Sequence, residues 1–291
     1  MPFYSVFFYY LCNMIMKFTS MSKKLSCFLI AMMLICDVPF THAQQEDEYI
    51  LVFSDEFNQT TESQPDPTKW GCSSRHNSRW ARWISNSPKV AYIKNGKLIC
   101  RAIPNNQQKE DTAQMLTGAI ETKDKFSFQY GKVEVRLKTN RQRGNFPAVW
   151  MLPQPPCLQH PYGGEIDIFE SYGTNPHAYH TAHTHWTLHL GMKKTPQHQF
   201  HEKVRVDKWH VYCVEWNHNS IIWKVDDNIM GIYNKLDDDE AQSKGQWPFD
   251  HPFYIILNQS VGDATWPDPP NLRHTYTTMI DWIRVYQRKE S

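Results

Sequence analysis

Apolar and polar residues alternate in short runs along the chain from Glu48 onward. Such runs, rich in β-branched residues, are typical of β-strands. Turn-forming residues such as Asn95-Gly96 separate them, and only Leu236–Lys244 has the pattern of a short helix. The runs predict strands at Tyr49–Phe53, Lys97–Ile103, Gly131–Lys138, His210–Trp216, Ile221–Val225, Phe253–Leu257 and Met279–Tyr286. Many strands with almost no helix predict an all-β sandwich of two antiparallel sheets.

The N-terminal segment has the composition of a leader. Lys23-Lys24 precede an apolar run that ends at Cys36, and Thr41-His42-Ala43 fits a signal-peptide cleavage site. The run is too short to span a membrane. We therefore predict a leader over residues 1–43, with translation starting at Met21, and export of one domain, residues 44–291, as a monomer. Lipid attachment at Cys36 is disfavoured because the preceding Leu34-Ile35 fits a lipobox poorly.

Charge and aromatic content narrow the class of partner. A formal net charge of +1, without a basic tail, does not point toward a nucleic-acid partner. The 11 tryptophans suit flat ligands such as sugar rings, although any one of them could equally belong to the core. Cys72, Cys100, Cys157 and Cys213 follow the leader and allow three disulfide pairings. Buried free thiols are the favoured interpretation for the two that lie in strand-like runs, Cys100 and Cys213.

Three carboxylates lie close together in the run from Glu165 to Glu170. Residues i and i+2 of a strand share a face, so Glu165 and Asp167 point the same way. Glu170 would point the opposite way in a regular strand. A β-bulge at Ile168-Phe169 would return Glu170 to the face of the other two carboxylates.

Crowded carboxylates suit the cleavage of a glycosidic bond. Repulsion between like charges raises one pKa, which provides a protonated carboxyl beside an ionised one. Retaining glycosidases use such a pair at a separation of about 5–5.5 Å. We therefore predict Glu165 as the nucleophile, Glu170 as the acid/base and Asp167 as the group that orients Glu165. An exposed acidic strand or a calcium site are the alternatives.

The run Glu165-Ile-Asp-Ile-Phe-Glu170 resembles the signature of glycoside hydrolase family 16 in its bulged form. Six further segments resemble motifs of the family and occur in the family's order: Ser54–Phe57, Asn95–Leu98, Gly131–Arg136, Trp150–Pro153, Ile256–Gln259 and Asp281–Tyr286. The resemblance implies a concanavalin-like β-jelly-roll with a substrate cleft along its concave sheet, and a retaining mechanism that needs no cofactor. It also implies a structural calcium ion bound by the Asp281 side chain and the backbone oxygens of Glu56 and Gly96.

Several other residues are predicted to line this cleft. The alternation from Tyr179 to Leu190 gives a polar face with His183 and His185, and an apolar face of Ala182, Thr184, Trp186, Leu188 and Leu190. A zinc site among these histidines is a further reading, although no partner has ligand spacing. The remaining predicted substrate-binding residues are Trp150, Trp80, Trp83, Trp266, Arg82, Arg143, Asn258 and Gln259. Arginines fit sulfate or carboxylate groups of a polysaccharide.

The surroundings of the carboxylates resemble the branch of the family that acts on red-algal galactans. Gly144–Pro153, Arg82–Ser87 and Tyr179–Thr187 carry that similarity. It implies an endo-β-galactanase for porphyran, a sulfated galactan. Agarose and then β-1,3- or mixed-linkage glucan are the alternative substrates. Transglycosylation and an inactive lectin-like module are the alternative activities.

Overall fold

The computed structural model describes residues 49–106, 110–265 and 267–289. The predicted leader, including Met21 and Cys36, lies outside the described residues, and so does Trp266. The described residues belong to one compact unit. Among them there is no helix with the length and apolar character that a membrane crossing requires.

The described residues form fifteen strands and two short helices. The strands are β1 (Tyr49–Asp55), β2 (Gly71–Cys72), β3 (Ala91–Ile93), β4 (Leu98–Pro104), β5 (Met115–Glu121), β6 (Gly131–Thr139), β7 (Asn145–Pro153), β8 (Glu165–Glu170), β9 (His177–His183), β10 (Gln199–Lys203), β11 (His210–Trp216), β12 (Ser220–Val225), β13 (Asn228–Asn234), β14 (Phe253–Val261) and β15 (Tyr276–Arg288). The helices are α1 (His185–Leu188) and α2 (Asp239–Ser243). All seven strands predicted from the alternation are confirmed.

The strands pair in the order β10-β9-β8-β7-β14-β5-β4-β15-β6-β11-β12-β13, and every pairing is antiparallel. The first six strands form one face of a sandwich, and the last six form the other. β1, β2 and β3 pair with β15, β5 and β4 respectively. This is the two-sheet antiparallel jelly-roll predicted from the sequence.

The alternation in β6 shows why these segments become strands. Val133, Val135 and Leu137 are fully buried between the sheets, while the intervening Lys132 and Glu134 are partly exposed on the outer face. Burial of each large aliphatic side chain contributes roughly 1.5–3 kcal/mol to folding. Facing side chains of the other sheet complete this core, among them Val149, Met151, Ile166, Ile168, Phe169 and Leu257.

The segment from Tyr179 to Leu190 does not continue as one strand. β9 ends at His183, and α1 begins at His185. Thr184 and Thr187 exchange side-chain and backbone hydrogen bonds in a capping box, which stops the strand and starts the helix. The predicted apolar face is therefore wrong at Leu188 and Leu190, which are exposed, whereas Thr184 and Trp186 are buried as predicted.

The other local predictions have mixed outcomes. The helix predicted over Leu236–Lys244 is shorter, because Asp238 accepts hydrogen bonds from the backbone N–H groups of Glu240 and Ala241 and so begins it later. Cys72, Cys100, Cys157 and Cys213 are all free thiols in the structure. Cys100 and Cys213 are buried as predicted, and burial raises the pKa of each to about 12.

A lysine holds the position predicted for calcium. Lys97 Nζ lies 2.7 Å from Asp281 Oδ1 and donates a hydrogen bond of 3.0 Å to the Gly96 carbonyl, so it contacts two of the three predicted ligands. Arg136 also pairs with the Asp281 carboxylate. Glu56 directs its side chain to Arg284, with both contacts at 2.8 Å. A calcium ion would have to displace two cationic side chains, which counts against the predicted site.

We expect the melting temperature of the protein to be the same in a chelator and in millimolar calcium, because the Lys97 ammonium already neutralises this site. Lys97→Met is expected to lower stability by about 1 kcal/mol in both buffers, as for a partly exposed ion pair. Thermal melts of both proteins in both buffers check this. A wild-type melting temperature that rises by several degrees with calcium would contradict it.

Candidate active site

Glu165, Asp167 and Glu170 project from β8 onto one face of the sheet. β8 pairs with β9 through Glu165↔His183, Asp167↔Thr181 and Glu170↔Tyr179. Ile168 and Phe169 of β8 therefore lie opposite the single residue His180 of β9, so β8 contains one extra residue, and the pairing with β7 shifts at the same place. Ile168 and Phe169 are both fully buried on the core side. The predicted bulge is confirmed.

Side chains from the core hold the bulge in place. Trp223 of β12, in the opposite sheet, donates its indole N–H to the Asp167 carbonyl at 2.8 Å. His180 of β9 places Nδ1 2.7 Å from the Ile168 carbonyl. Burial lowers the pKa of His180 to about 4, so its ring is neutral at ordinary pH and Nδ1–H is the donor. Both bulge carbonyls are thus satisfied inside the sandwich, as buried polar groups require.

Glu165 is the carboxylate best prepared to be ionised. His160 Nε2 lies 3.1 Å from Glu165 Oε2, and His183 Nε2 lies 3.9 Å from Oε1. Burial by itself raises the pKa of Glu165. The contact with His160, the charges of His183 and His160, and a hydrogen bond with Asp167 outweigh burial and lower this pKa overall.

The pKa values of Asp167 and Glu170 shift in the opposite direction to that of Glu165. Burial, followed by the charge of Glu165 and the hydrogen bond to it, raises the pKa of Asp167 well above its ordinary value. Burial and the charge of Asp167 likewise raise the pKa of Glu170, although Tyr172 donates a hydrogen bond of 2.6 Å to Glu170 Oε2. The strand thus carries one carboxylate that ionises readily and two carboxyls that keep their protons to higher pH.

Trp150 and Asn258 lie on the same face as the carboxylates. Trp150 is paired with Asp167 across β7 and β8, and its indole N–H donates to Asn258 Oδ1 at 2.7 Å. Trp80 packs edge-on against Trp150 with ring centroids 4.9 Å apart. Because only 6% of Trp150 is exposed, its ring offers little surface for stacking on a sugar. Trp80 is the more accessible of the two rings.

Three predicted substrate-binding residues make contacts within the protein. Gln259 points to the opposite face of β14 and is buried, where it donates to Asn145 and accepts from Thr278. The Arg82 guanidinium donates to the carbonyls of Val261 and Gly262 and lies over the Trp83 ring, with 4.2 Å to the ring centroid. The prediction for Gln259 is wrong, because its side chain is fully buried on the core side. The roles of Arg82 and Trp83 in substrate binding stay predictions.

The other predicted residues have contacts of different kinds. His183 contacts Asp167 directly, with Nε2 3.1 Å from Oδ2. His185 lies on α1 and stacks on Tyr162, with 4.6 Å between the ring centroids. Arg143 lines a pocket of about 440 Å³ with Gln142, Pro269, Pro270, Asn271 and His274. Its weak pair with Asp268, at 3.3 Å, leaves both side chains more than half exposed.

The sequence patterns missed two residues of the site and underused a third. His160 lies in an irregular loop with no periodicity, so its contact with Glu165 had no sequence signal. Tyr172 follows Glu170 by two residues, and that spacing on an acid-bearing strand was a usable signal. Tyr179, which was assigned only to the polar face, packs on Tyr172 at 4.6 Å and on His201 at 5.4 Å, which extends an aromatic surface away from Glu170.

Ligand atoms of Glu165, Asp167 and His183 lie within 4.8 Å of one another, close enough to hold a metal ion. Of the histidines from His177 to His189 that raised the zinc alternative, only His183 joins this group. The same spacing also suits a network that shares protons among two carboxyls and an imidazole. The opposite pKa shifts of Glu165 and Asp167 fit that second arrangement.

A jelly-roll with three carboxylates on one bulged strand defines an enzyme that cleaves glycosidic bonds. The sequence model of glycosyl hydrolases family 16 matches residues 78–284. The chain belongs to this family, as the sequence motifs indicated.

Relatives within the family differ in the substrate for which they are named. A keratan-sulfate endo-1,4-beta-galactosidase from Sphingobacterium multivorum is 32% identical over 82% of this chain, which spans 56% of that relative's length. A beta-glucanase from Rhodothermus marinus is 30% identical, and the alignment covers 95% of this chain and 99% of the relative. The laminarinase catalytic domain from Thermotoga maritima superimposes with a TM-score of 0.70 at 26% identity, covering 84% of this chain and all of that domain. The chain is thus an endo-glycosidase of this family, similar to both galactosidases and glucanases.

Proposed function

We propose that this protein is an exported, retaining endo-β-galactosidase that cleaves a sulfated galactose-containing polysaccharide. The observation that carries the proposal is the division of protonation along β8. The pKa of Glu165 is lowered while the pKa of Glu170 is raised. That division supplies an ionised nucleophile and a protonated general acid, the two groups that a double displacement needs.

In the first step, the Glu165 carboxylate attacks the anomeric carbon of the sugar at the scissile bond. The bond from that carbon to the leaving oxygen breaks, its electron pair moves to the oxygen, and Glu170 gives the oxygen its proton. In the second step, water attacks the same carbon and transfers a proton to Glu170. The bond to Glu165 breaks, and its electron pair returns to the carboxylate. Two inversions give net retention.

Asp167 and His183 support the nucleophile in this mechanism. The raised pKa of Asp167 keeps its proton available for the hydrogen bond to Glu165. His183 contacts Asp167 and lies near Glu165. Together they orient the carboxylate and stabilise its negative charge, both before the attack and when it departs in the second step.

Three lines of support favour a sulfated β-galactoside. The sequence around the carboxylates resembles enzymes for porphyran, a sulfated galactan, and the Sphingobacterium relative is named for keratan sulfate. Glucan is the second candidate, because the Rhodothermus beta-glucanase aligns over nearly its whole length. The pocket at Arg143 favours the first candidate, since a guanidinium pairs well with sulfate.

Incubation of the protein with porphyran, agarose, keratan sulfate, laminarin and mixed-linkage glucan tests the proposal. We expect short oligosaccharides from one of the sulfated galactose chains and little product from the glucans. Product size separates endo cleavage from transglycosylation, which yields chains longer than the cleavage products. Preferred cleavage of laminarin would replace the galactosidase proposal with a glucanase. Binding without any product would leave the lectin-like alternative.

Arg143→Ala is expected to reduce kcat/KM on the sulfated substrate by roughly 10–150-fold, as for the loss of a charge-assisted contact. The effect on the desulfated polysaccharide should be much smaller, because the exposed pair with Asp268 stabilises the protein little. Arg79→Ala is the matched control, since Arg79 is also an exposed loop arginine paired with an aspartate at 3.3 Å. Equal losses on both polysaccharides would exclude sulfate recognition by Arg143.

A further inference from the structure

His160 is the polar group outside β8 and β9 that reaches the nucleophile. Its Nε2 lies 3.1 Å from Glu165 Oε2, while the carboxylate itself is only 17% exposed. The imidazole side chain is 45% exposed, so solvent weakens the interaction without separating the two groups. The contact comes from a loop, not from the strand that carries the carboxylates.

The loop that carries His160 is fixed on both sides of the residue. Hydrogen bonds within the loop join the Tyr162 N–H to the Gln159 carbonyl at 2.9 Å and the Gly164 N–H to the Pro161 carbonyl at 3.1 Å. Gly163 allows a close approach, because a Cβ there would lie 2.2 Å from the Leu158 carbonyl oxygen. The ordered backbone of this loop therefore helps to hold the imidazole at Glu165.

Two contacts with other parts of the protein hold the same loop in place. The Tyr162 ring stacks on His185 of α1, with 4.6 Å between centroids and 17° between planes. His251 places Nε2 3.1 Å from the Gly163 carbonyl. Both contacts hold residues next to His160 in the chain. Such support is what keeps a functional side chain in one geometry.

We propose that His160 is a positioning residue for the nucleophile: it holds the Glu165 carboxylate in one orientation and keeps it ionised. This inference rests on the proposed function. A donor directed at Oε2 stabilises the carboxylate before the attack. It does so again when negative charge returns to the carboxylate as the glycosyl-enzyme is hydrolysed. Loss of the donor should slow both steps and raise the pKa of Glu165.

The ionisable groups that face Glu165 come from several elements. Asp167 and Glu170 share its strand, His183 comes from β9, and Tyr254 of β14 feels the charge of Glu165. Of these groups and His160, only His160 is removed in the experiment. A shift in the acidic limb of the pH–activity profile can therefore be assigned to His160. Activity requires ionised Glu165 and is lost as pH falls through the pKa of that group. A raised pKa therefore moves the acidic limb to higher pH.

The experiment compares His160→Leu, His160→Gln and His218→Leu with the wild type. We expect His160→Leu to lower kcat about 10-fold, the lower end for a hydrogen bond to a charged group, because the ring is half exposed. KM should change less, and the acidic limb of kcat/KM should move to higher pH. His160→Gln retains a donor and should recover part of kcat. His218 is exposed in the loop between β11 and β12, and its replacement should change nothing.

A titration of the Glu165 carboxyl by carbon-13 NMR provides a readout that needs no substrate. It should give a higher pKa in His160→Leu than in the wild type. An unchanged pKa and an unchanged acidic limb would overturn the positioning role, even if kcat fell. Should His160→Leu fail to fold, His160→Ala, which also removes the donor, carries the same comparison. A wild type that cleaves none of the five polysaccharides would refute the proposed function instead, while the NMR titration would still decide the role of His160.

Discussion

Glu165→Gln is expected to reduce kcat by roughly 10³-fold or more, because an amide cannot attack the anomeric carbon and no other group replaces it. The loss should appear on every substrate that the wild type cleaves. Glutamine has nearly the same shape as glutamate, so the melting temperature should change little. Initial rates on the preferred polysaccharide, with circular dichroism melts, provide the measurement.

Glu215→Gln is the matched control for this variant. Glu215 lies on β11, in the sheet opposite the one that contains β8, and its carboxylate pairs with Lys224. The same isosteric change there removes one carboxylate without affecting the carboxylates of β8, and activity should stay at the wild-type level. If Glu165→Gln kept more than about a hundredth of the activity, Glu165 would not be the nucleophile, since even acid–base groups contribute roughly 10²–10⁴-fold.

Glu170→Ala is expected to lower the rate on polysaccharide by about 10²–10⁴-fold, because the leaving oxygen no longer receives a proton. An aryl glycoside with a good leaving group needs little protonation, so this variant should still form the glycosyl-enzyme. Azide should then attack it and yield a β-glycosyl azide, identified by NMR of the product. An α-glycosyl azide would mean inversion and exclude the double displacement.

The pH profile gives a second measurement on the same variant. The pKa of Glu170 is raised, and the acid must be protonated, so wild-type activity should fall as pH rises through that pKa. Glu170→Ala, assayed on the activated glycoside, should lack this alkaline limb and keep the acidic limb set by Glu165. Loss of the acidic limb instead would reverse the two assignments.

The sequence predicted the strands and the bulge because both depend on local rules. Alternation with a period of two identifies a strand with one buried face, and the i+5 spacing of Glu165 and Glu170 needs one extra residue. The same rule already separates Asn258 from Gln259, since neighbours in a strand face opposite sides. Only Asn258 therefore lies on the face of the carboxylates, whereas Gln259 is buried and bonded to Asn145.

Other features depend on contacts between segments far apart in the chain. Arg82 is directed to carbonyls of Val261 and Gly262 by the folding of a loop onto the end of β14. Lys97 pairs with Asp281 only because Asp281 of β15 comes to lie beside the turn before β4. No periodicity in the sequence predicts such long-range contacts. The end of β9 at His183 was detectable, because Thr184 and Thr187 have the spacing of a capping box.

The attachment of the bulge to Trp223 and His180 separates two tasks that the protein must perform. Both contacts come from the interior of the sandwich, whereas Arg143, the proposed sulfate contact, lies on an exposed loop. Changes in such loops can therefore alter which chain is bound while the spacing of the reacting groups is unaffected. One catalytic scaffold can in this way serve relatives named for keratan sulfate and for glucans. Conversely, a conservative change in the interior, such as Trp223→Phe, would alter turnover on every substrate, although Trp223 lies in the core and contacts none of them.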